Sequence, residues 1–390
     1  MLAVRRLSSR FVLVLALSCF ILPEVQAEVL WSDSGFYVDM PSGFELADGD
    51  GKARFAFVDP NGAMEFDIFV YDYGRYASAD AIAADIAKKL GSEGEREAFS
   101  YEGRQAVLSE LSFSLDGEKK RGYAIFVGGR TGGSVREKSY ALLAYSPEAD
   151  FEGYADFVMS CLDAFSVDLA ATRRPGAVSQ YLLSWPAEQP ATKKVSIPGG
   201  AQVELPWSDA EADEEAGVIG REYRVLASYA GTADLWIDAW ARFYRMAYRE
   251  SAARLDRLAL ELSRTLPLSD PTDTARRLLA WVQSFVYERN PEGADFVPAM
   301  AAAYEGRGDC DSRAMVMAAI LERFGVDAIL MVSSEYSHAM IAVDVPGGGQ
   351  RFEFGGKSYL VGETTADVGI GMIAANQADW SKWMGIQLGD

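Results

Sequence analysis

One cysteine in this chain stands where a loop gives way to a helix. Gly306-Arg307-Gly308-Asp309-Cys310-Asp311-Ser312-Arg313 is followed by an apolar run of helical pattern over 314–324, closed by Gly325. The unpaired N–H groups of a helix start carry partial positive charge and favour thiolate over thiol, a setting that suits a nucleophile. Downstream lies the only imidazole of the chain, His338, near the start of a predicted strand over 337–345. A strand beside the helix brings a ring nitrogen of His338 within reach of the Cys310 proton. A third group must then orient the ring. The next predicted strand, 357–365, carries Glu363 near its end, and adjacent strands set such residues side by side. Glu363 is the first choice, with Asp344 and Asp367 as substitutes. Together these residues could perform acyl transfer through a thioester on Cys310.

The composition narrows the alternatives. The chain has 390 residues and a net charge of −20, from 37 basic and 57 acidic side chains, with one His and three Cys. An acidic balance argues against a nucleic-acid partner, which needs clustered Lys and Arg. A single His excludes multi-His zinc sites, and no paired C-x-x-C, P-loop, G-x-S-x-G or EF-hand spacing occurs, so neither metal nor cofactor is expected. Apolar residues make up 49% and aromatics 12%, enough for two or three ordinary domains.

Residues 1–27 read as a secretory signal. Arg5, Arg6 and Arg10 precede an apolar run over 11–22, and Val25-Gln26-Ala27 is a small-residue cleavage site. The protein is therefore expected to be exported, to a periplasm or the extracellular space. The alternative is a lipoprotein anchored through Cys19. Export leaves Cys161 and Cys310, and the plainest reading of two cysteines in an oxidising compartment is a disulfide. Cys161, however, falls on an apolar helix stripe, whereas Cys310 is flanked by Asp309 and Asp311.

Residues 28–168 form one predicted α+β unit. Phe55-Ala56-Phe57, a turn at 59–62 and the alternation of Met64, Phe66, Ile68 and Val70 read as a hairpin. A short helix follows from Ser78, then strands around 107–115, 123–127 and 140–145. A helix striped by Phe151, Tyr154, Val158, Cys161 and Phe165 closes the unit. No chemical constellation is visible in it, which suggests a binding or positioning module. A linker and hairpin region spans 169–235, with Pro198-Gly199-Gly200 at the turn and 209–215 expected as a solvated acidic loop. From Trp236 to Arg264 there is neither Gly nor Pro, and the spacing predicts one long amphipathic helix; a second begins at Asp270-Pro271. The catalytic unit extends over 236–368, and the tail 369–390, with Trp380 and Trp383, is expected to pack back on it.

Gly-Asp-Cys-Asp at a helix start, Ser-His-Ala on a strand and an acid followed by Thr on the next strand resemble the transglutaminase-like superfamily, from about Trp236 to Thr365. The resemblance implies a papain-like α+β core, with Cys310 as nucleophile, His338 as general base and acid, and Glu363 where the family usually has Asp. It also offers Gln283 or Tyr287 as oxyanion donors beside the Cys310 N–H. Two positions depart from the family: Glu363-Thr364-Thr365 replaces Asp-Pro-Thr, and Met340 stands where a Trp usually follows the catalytic His. The implied substrates are proteins or peptides, and bacterial members look more like hydrolases than cross-linkers. The competing expectation is an inactive core serving as a binding or scaffold protein of the cell envelope. The N-terminal unit more faintly resembles PsbP and Mog1-like sandwiches.

Overall fold

The computed structural model describes residues 29–129, 137–182, 190–289 and 294–389. The signal segment and Cys19 lie outside the described residues.

The chain opens with β1 (Leu30–Trp31) and β2 (Tyr37–Val38), then β3 (Glu45–Gly49), β4 (Arg54–Val58) and β5 (Glu65–Tyr71). Helix α1 (Ala79–Leu90) follows, its first turn capped by the Ser78 side chain. Four longer strands come next: β6 (Arg96–Tyr101), β7 (Arg104–Leu115), β8 (Glu118–Val127) and β9 (Ser139–Pro147). The strands from β3 to β9 make one antiparallel sheet in the order β3-β4-β5-β9-β8-β7-β6. Alternation sends Phe66, Ile68, Ile125 and Leu142 to one face, where α2 (Phe151–Ala164) lies, and Ala124, Phe126, Ala141 and Leu143 to the other, under α1. The result is the expected sandwich. A strand β10 (Phe165–Ser166) returns to β2, and α3 (Ala177–Leu182) follows.

The hairpin around Pro198 is β11 (Ala191–Ser196) with β12 (Gln202–Trp207). The acidic run after it is not a loop. Residues Asp209–Ala227 form helix α4, capped by Ser208 Oγ, with Glu211 and Glu215 buried. Arg254, far along the chain, meets this inner face, donating to the Glu211 carbonyl and to Glu214 Oε2. The predicted long helix is broken: α5 (Ala233–Ala252) passes through a 3₁₀ turn at Ala253–Leu255 into α6 (Asp256–Ser263). Arg254 sits in that turn, fully buried, and ion-pairs with Glu250 and Glu214.

This cluster has more carboxylate than its arginine can satisfy. Glu215 Oε1 accepts from Ser251 Oγ at 2.6 Å, while Oε2 has no partner. Burial pushes the Glu215 carboxyl up to about 7. A carboxyl whose folded value is raised binds its proton more tightly in the native state, so its stabilising contribution is full at low pH and is lost as pH rises through about 7. Glu215→Gln is therefore expected to lose less stability than the parent between mildly acidic and mildly basic pH. The gap is about 2–3 kcal/mol, read by urea unfolding. Parallel pH curves for the two proteins would refute this.

The second half builds α7 (Pro271–Gln283), started by Asp270 and Pro271 as expected, then α8 (Ala299–Glu305) and α9 (Cys310–Arg323). The strands β13 (Ala328–Ser333), β14 (His338–Val343), β15 (Arg351–Phe354), β16 (Lys357–Gly362) and β17 (Met384–Gln387) form an antiparallel sheet in the order β15-β16-β14-β13-β17. Helix α9 is buried against one face of it through Met315, Ala318 and Ala319, beside Ile341 and Val343. The tail packs back as expected. It adds β17 as an edge strand beside β13 and lays Trp383 on the opposite face, with Met331, Met340 and Val361. The architecture is α+β throughout.

Helix α5 joins the two halves. Arg242, 3% exposed, donates to Asp39 O, Glu222 Oε2 and Ser160 Oγ, and Arg249 donates to the carbonyls of Asp163, Phe165 and Arg174. From the same helix, Tyr244 reaches the start of α9. Among the described residues no helix is long and apolar enough to cross a membrane.

Candidate active site

Cys310 is the first residue of α9, after Asp309, whose carboxylate accepts from Ser312 N and Ser312 Oγ. The approach is tight. Gly308 has φ +152°, and a Cβ there would come within 2.8 Å of Ser312 Cβ, so only glycine lets the loop lie on its own helix. The backbone N–H groups of the first turn, including that of Cys310, have no intrahelical partner. Sγ lies against β14, where the Ala339 N–H hydrogen-bonds it.

His338 begins β14 after Ser337, a non-glycine residue in the left-handed region (φ 47°). That turn aims the ring at the end of the sheet. Gly362 pairs with Ile341 across β14 and β16, and extending the register sets Glu363 on the face that His338 uses. The carboxylate meets the ring directly, His338 Nε2 to Glu363 Oε2 at 2.8 Å, with both side chains largely buried. Glu363 Oε1 accepts from Thr365 N at 2.7 Å and Thr365 Oγ1 at 2.6 Å. Burial alone would raise this carboxyl, but the His338 bond and charge and the Thr365 bonds outweigh it and hold it below the usual range. The longer acid thus reaches the ring with its second oxygen fixed. The substitutes do not: Asp344 is exposed and faces Lys357 at 3.7 Å, and Asp367 is exposed on the loop after Glu363.

Cysteine behaves differently from the helix-start argument. Burial, then the charges of Asp311 and Asp309, push the Cys310 thiol well above its ordinary value, despite the Ala339 N–H. The carboxylates and the loss of water outweigh the partial charge of the helix end. Both Cys161 and Cys310 are free thiols. Cys161 is fully buried in the sandwich core, so the disulfide reading does not hold.

Of the two oxyanion candidates, Gln283 is occupied. Its Nε2 donates to Glu363 O at 2.8 Å and Val368 O at 2.9 Å, which holds the acid-bearing loop instead. Tyr287 lies half exposed on the strand-like segment beside the cysteine loop, with the Cys310 charge among the causes, after burial, that raise its phenol.

Three residues of the site escaped the sequence reading. Arg313, 2% exposed, donates to the carbonyls of Gly308, Phe285, Gln283 and Thr364, tying the cysteine loop to the acid loop. Its place one turn after Cys310 was the available signal. Trp383 stacks edge-on to the His338 ring at 6.1 Å between centroids and anchors its own N–H on Gln377 O. An indole thus covers the imidazole, delivered by the tail and not by position 340; the two tryptophans so near each other in a short tail were the hint. Tyr244 from α5 donates to Asp311 Oδ1; nothing local marks it. Among the described residues no cluster of His, Cys, Asp or Glu could hold a metal ion.

Residues 259–350 match the family model described as transglutaminase-like superfamily. The match takes in Cys310 and His338 and ends before Glu363, so this stretch of the chain is similar to a transglutaminase-like core. A search of curated proteins finds no match. Solved structures similar to parts of the chain include a cyanobacterial PsbP from Synechocystis. It is 14% identical, over 36% of this chain and 93% of that one, with a TM-score of 0.29. Another is a protein of unknown function from Pseudomonas aeruginosa, described as a putative regulator: 19% identical, over 32% of this chain and 77% of that one, with a TM-score of 0.21. A Bacteroides thetaiotaomicron protein is 11% identical over 83% of this chain and 84% of that one, with a TM-score of 0.24.

Proposed function

We propose that the protein is an exported cysteine hydrolase or acyltransferase acting on peptide or amide bonds, with Cys310 as nucleophile, His338 as general base and acid, and Glu363 holding the imidazole. The observation that carries this reading is the His338 Nε2–Glu363 Oε2 contact of 2.8 Å beside a thiol at a helix start. With Nε2 committed to Glu363, Nδ1 is the nitrogen that takes the Cys310 proton. Sulfur then bonds to the amide carbon, and the carbonyl π pair moves to oxygen, facing the Cys310 N–H, with Tyr287 as the side-chain donor. Nδ1 returns the proton to the leaving amine as the C–N bond breaks. Water, or an amine, next attacks the thioester, with Nδ1 again taking the proton.

Hydrolysis ranks first. A protein with this acidic surface disfavours acidic substrates at a distance, an effect that salt screens. The N-terminal sandwich serves as a positioning module, and the mature protein works in a periplasm or outside the cell, with a lipid anchor at Cys19 as the alternative. Incubation with an unfolded protein substrate and a fluorescent primary amine tests the reaction class. New peptides without amine incorporation are expected, and Cys310→Ala should abolish them. Cleavage that survives Cys310→Ala would overturn the proposal; incorporation of the amine would replace hydrolysis with transamidation.

A further inference from the structure

Asp311 has no part in the proposed cycle, yet it touches the reacting atom. It is the second residue of α9, partly buried beside Tyr244 of α5. Cys310 Sγ donates to Asp311 Oδ2 at 3.5 Å, and Tyr244 Oη donates to Asp311 Oδ1 at 2.5 Å. The other charged or titratable groups whose fields reach the thiol or this carboxylate are Asp309 at the helix cap, Asp295 on the segment before α8, Tyr287 beside the cysteine loop, His338 on β14 and Arg313 one turn along α9. The two that can carry positive charge are His338 and Arg313, and the guanidinium is committed to the carbonyls of Gly308, Gln283, Phe285 and Thr364.

We infer that Asp311, fixed by Tyr244, is a restraining group that holds the resting nucleophile as a hydrogen-bonded thiol, so that Cys310 ionises only when Sγ turns from Asp311 Oδ2 to His338 Nδ1. The inference rests on the proposed triad and adds a control to it. In the resting state the proton stays on sulfur, shared towards Oδ2. A bound amide carbonyl draws Sγ away, and the proton passes to Nδ1. A carboxylate beside sulfur opposes a thiolate by charge repulsion, and the Tyr244 hydrogen bond keeps that carboxylate pointed at sulfur instead of letting it rotate away. The consequence is a nucleophile that adventitious electrophiles and oxidants reach only slowly, through the fraction of time Sγ faces His338, until substrate is seated. Thiolate fraction governs both alkylation and oxidation.

The test is the pH profile of iodoacetamide alkylation at Cys310, read by peptide mass, in the parent and in Asp311→Asn. Asparagine keeps an acceptor for Tyr244 and removes the charge. Its profile is expected to move at least about one pH unit lower, which makes labelling below neutrality about tenfold faster. An unchanged or higher midpoint in a folded Asp311→Asn would overturn the inference. His338→Ala separates this from failure of the triad: if His338→Ala slows labelling while Asp311→Asn leaves it unchanged, the restraint is wrong and the triad stands. If neither variant alters the profile, the triad reading falls too. Infrared difference spectra of the parent against Cys310→Ser give an answer without altering Asp311. An S–H stretching band assigned to Cys310 at neutral pH is expected, and its absence would refute a resting thiol.

Discussion

Glu363→Gln is expected to leave the protein folded and to slow acyl transfer from an activated ester by about three to four orders of magnitude. Glu363 accepts from His338 Nε2 at 2.8 Å, which keeps the ring proton on Nε2 and Nδ1 free for the thiol. A glutamine can turn its NH₂ towards the ring and donate instead. The proton then sits on Nδ1, where the thiol proton has to go. Thr365 still has an oxygen to bond, so the loop stays in place. The same variant should lose a pH dependence of stability. The Glu363 carboxyl is held low in the folded state, so its contribution is present above the ordinary glutamate value and fades as pH falls through the folded one. Steady-state rates and acid unfolding of the pair check both points, and a rate within tenfold of the parent would contradict the assignment of Glu363.

The second large effect lies away from the chemistry. Arg242→Met is expected to cost about 3–5 kcal/mol of stability and to split one unfolding transition into two. Arg242 sits between the two halves, bonded to Asp39 O, Glu222 Oε2 and Ser160 Oγ. Glu222 is 1% exposed and would keep only Arg221 as a cationic partner. Removing one member of a buried, fully hydrogen-bonded ion network strands the others, which is costlier than never building the network. Urea unfolding followed by fluorescence and circular dichroism reads the loss and the split. A loss below about 1 kcal/mol with a single transition would mean the junction is a surface-like contact.

The cysteine and histidine were legible because their signals are local. A glycine loop running into an apolar helical pattern marks Cys310, and a lone His at a strand start marks His338. Glu363 followed from strand order, since neighbouring antiparallel strands end together. What stayed hidden depends on partners far along the chain. Glu211 and Glu215 belong to a run that reads as a solvated loop, yet they are buried on α4, whose inner face meets Arg254, bonded to the Glu211 carbonyl, and Arg242, bonded to Glu222. The break between α5 and α6 has no Gly or Pro to announce it and comes from burying Arg254. Gln283 faces carbonyls of the acid loop, a choice set by where residues 363–368 fold back. The thiol's environment likewise reflects the Tyr244–Asp311 contact between two separate helices, which no helix-start rule contains.

The most direct test of the account is the rate of iodoacetamide labelling at Cys310 across the neutral range, in the parent and in His338→Ala, with Cys161 as the internal reference. Cys161 is fully buried, and that burial raises its thiol. The account predicts that Cys310 labels in the parent and Cys161 does not, and that His338→Ala slows Cys310 by at least about a hundredfold. Equal rates and equal pH profiles for Cys310 in the two proteins would contradict a nucleophile served by His338.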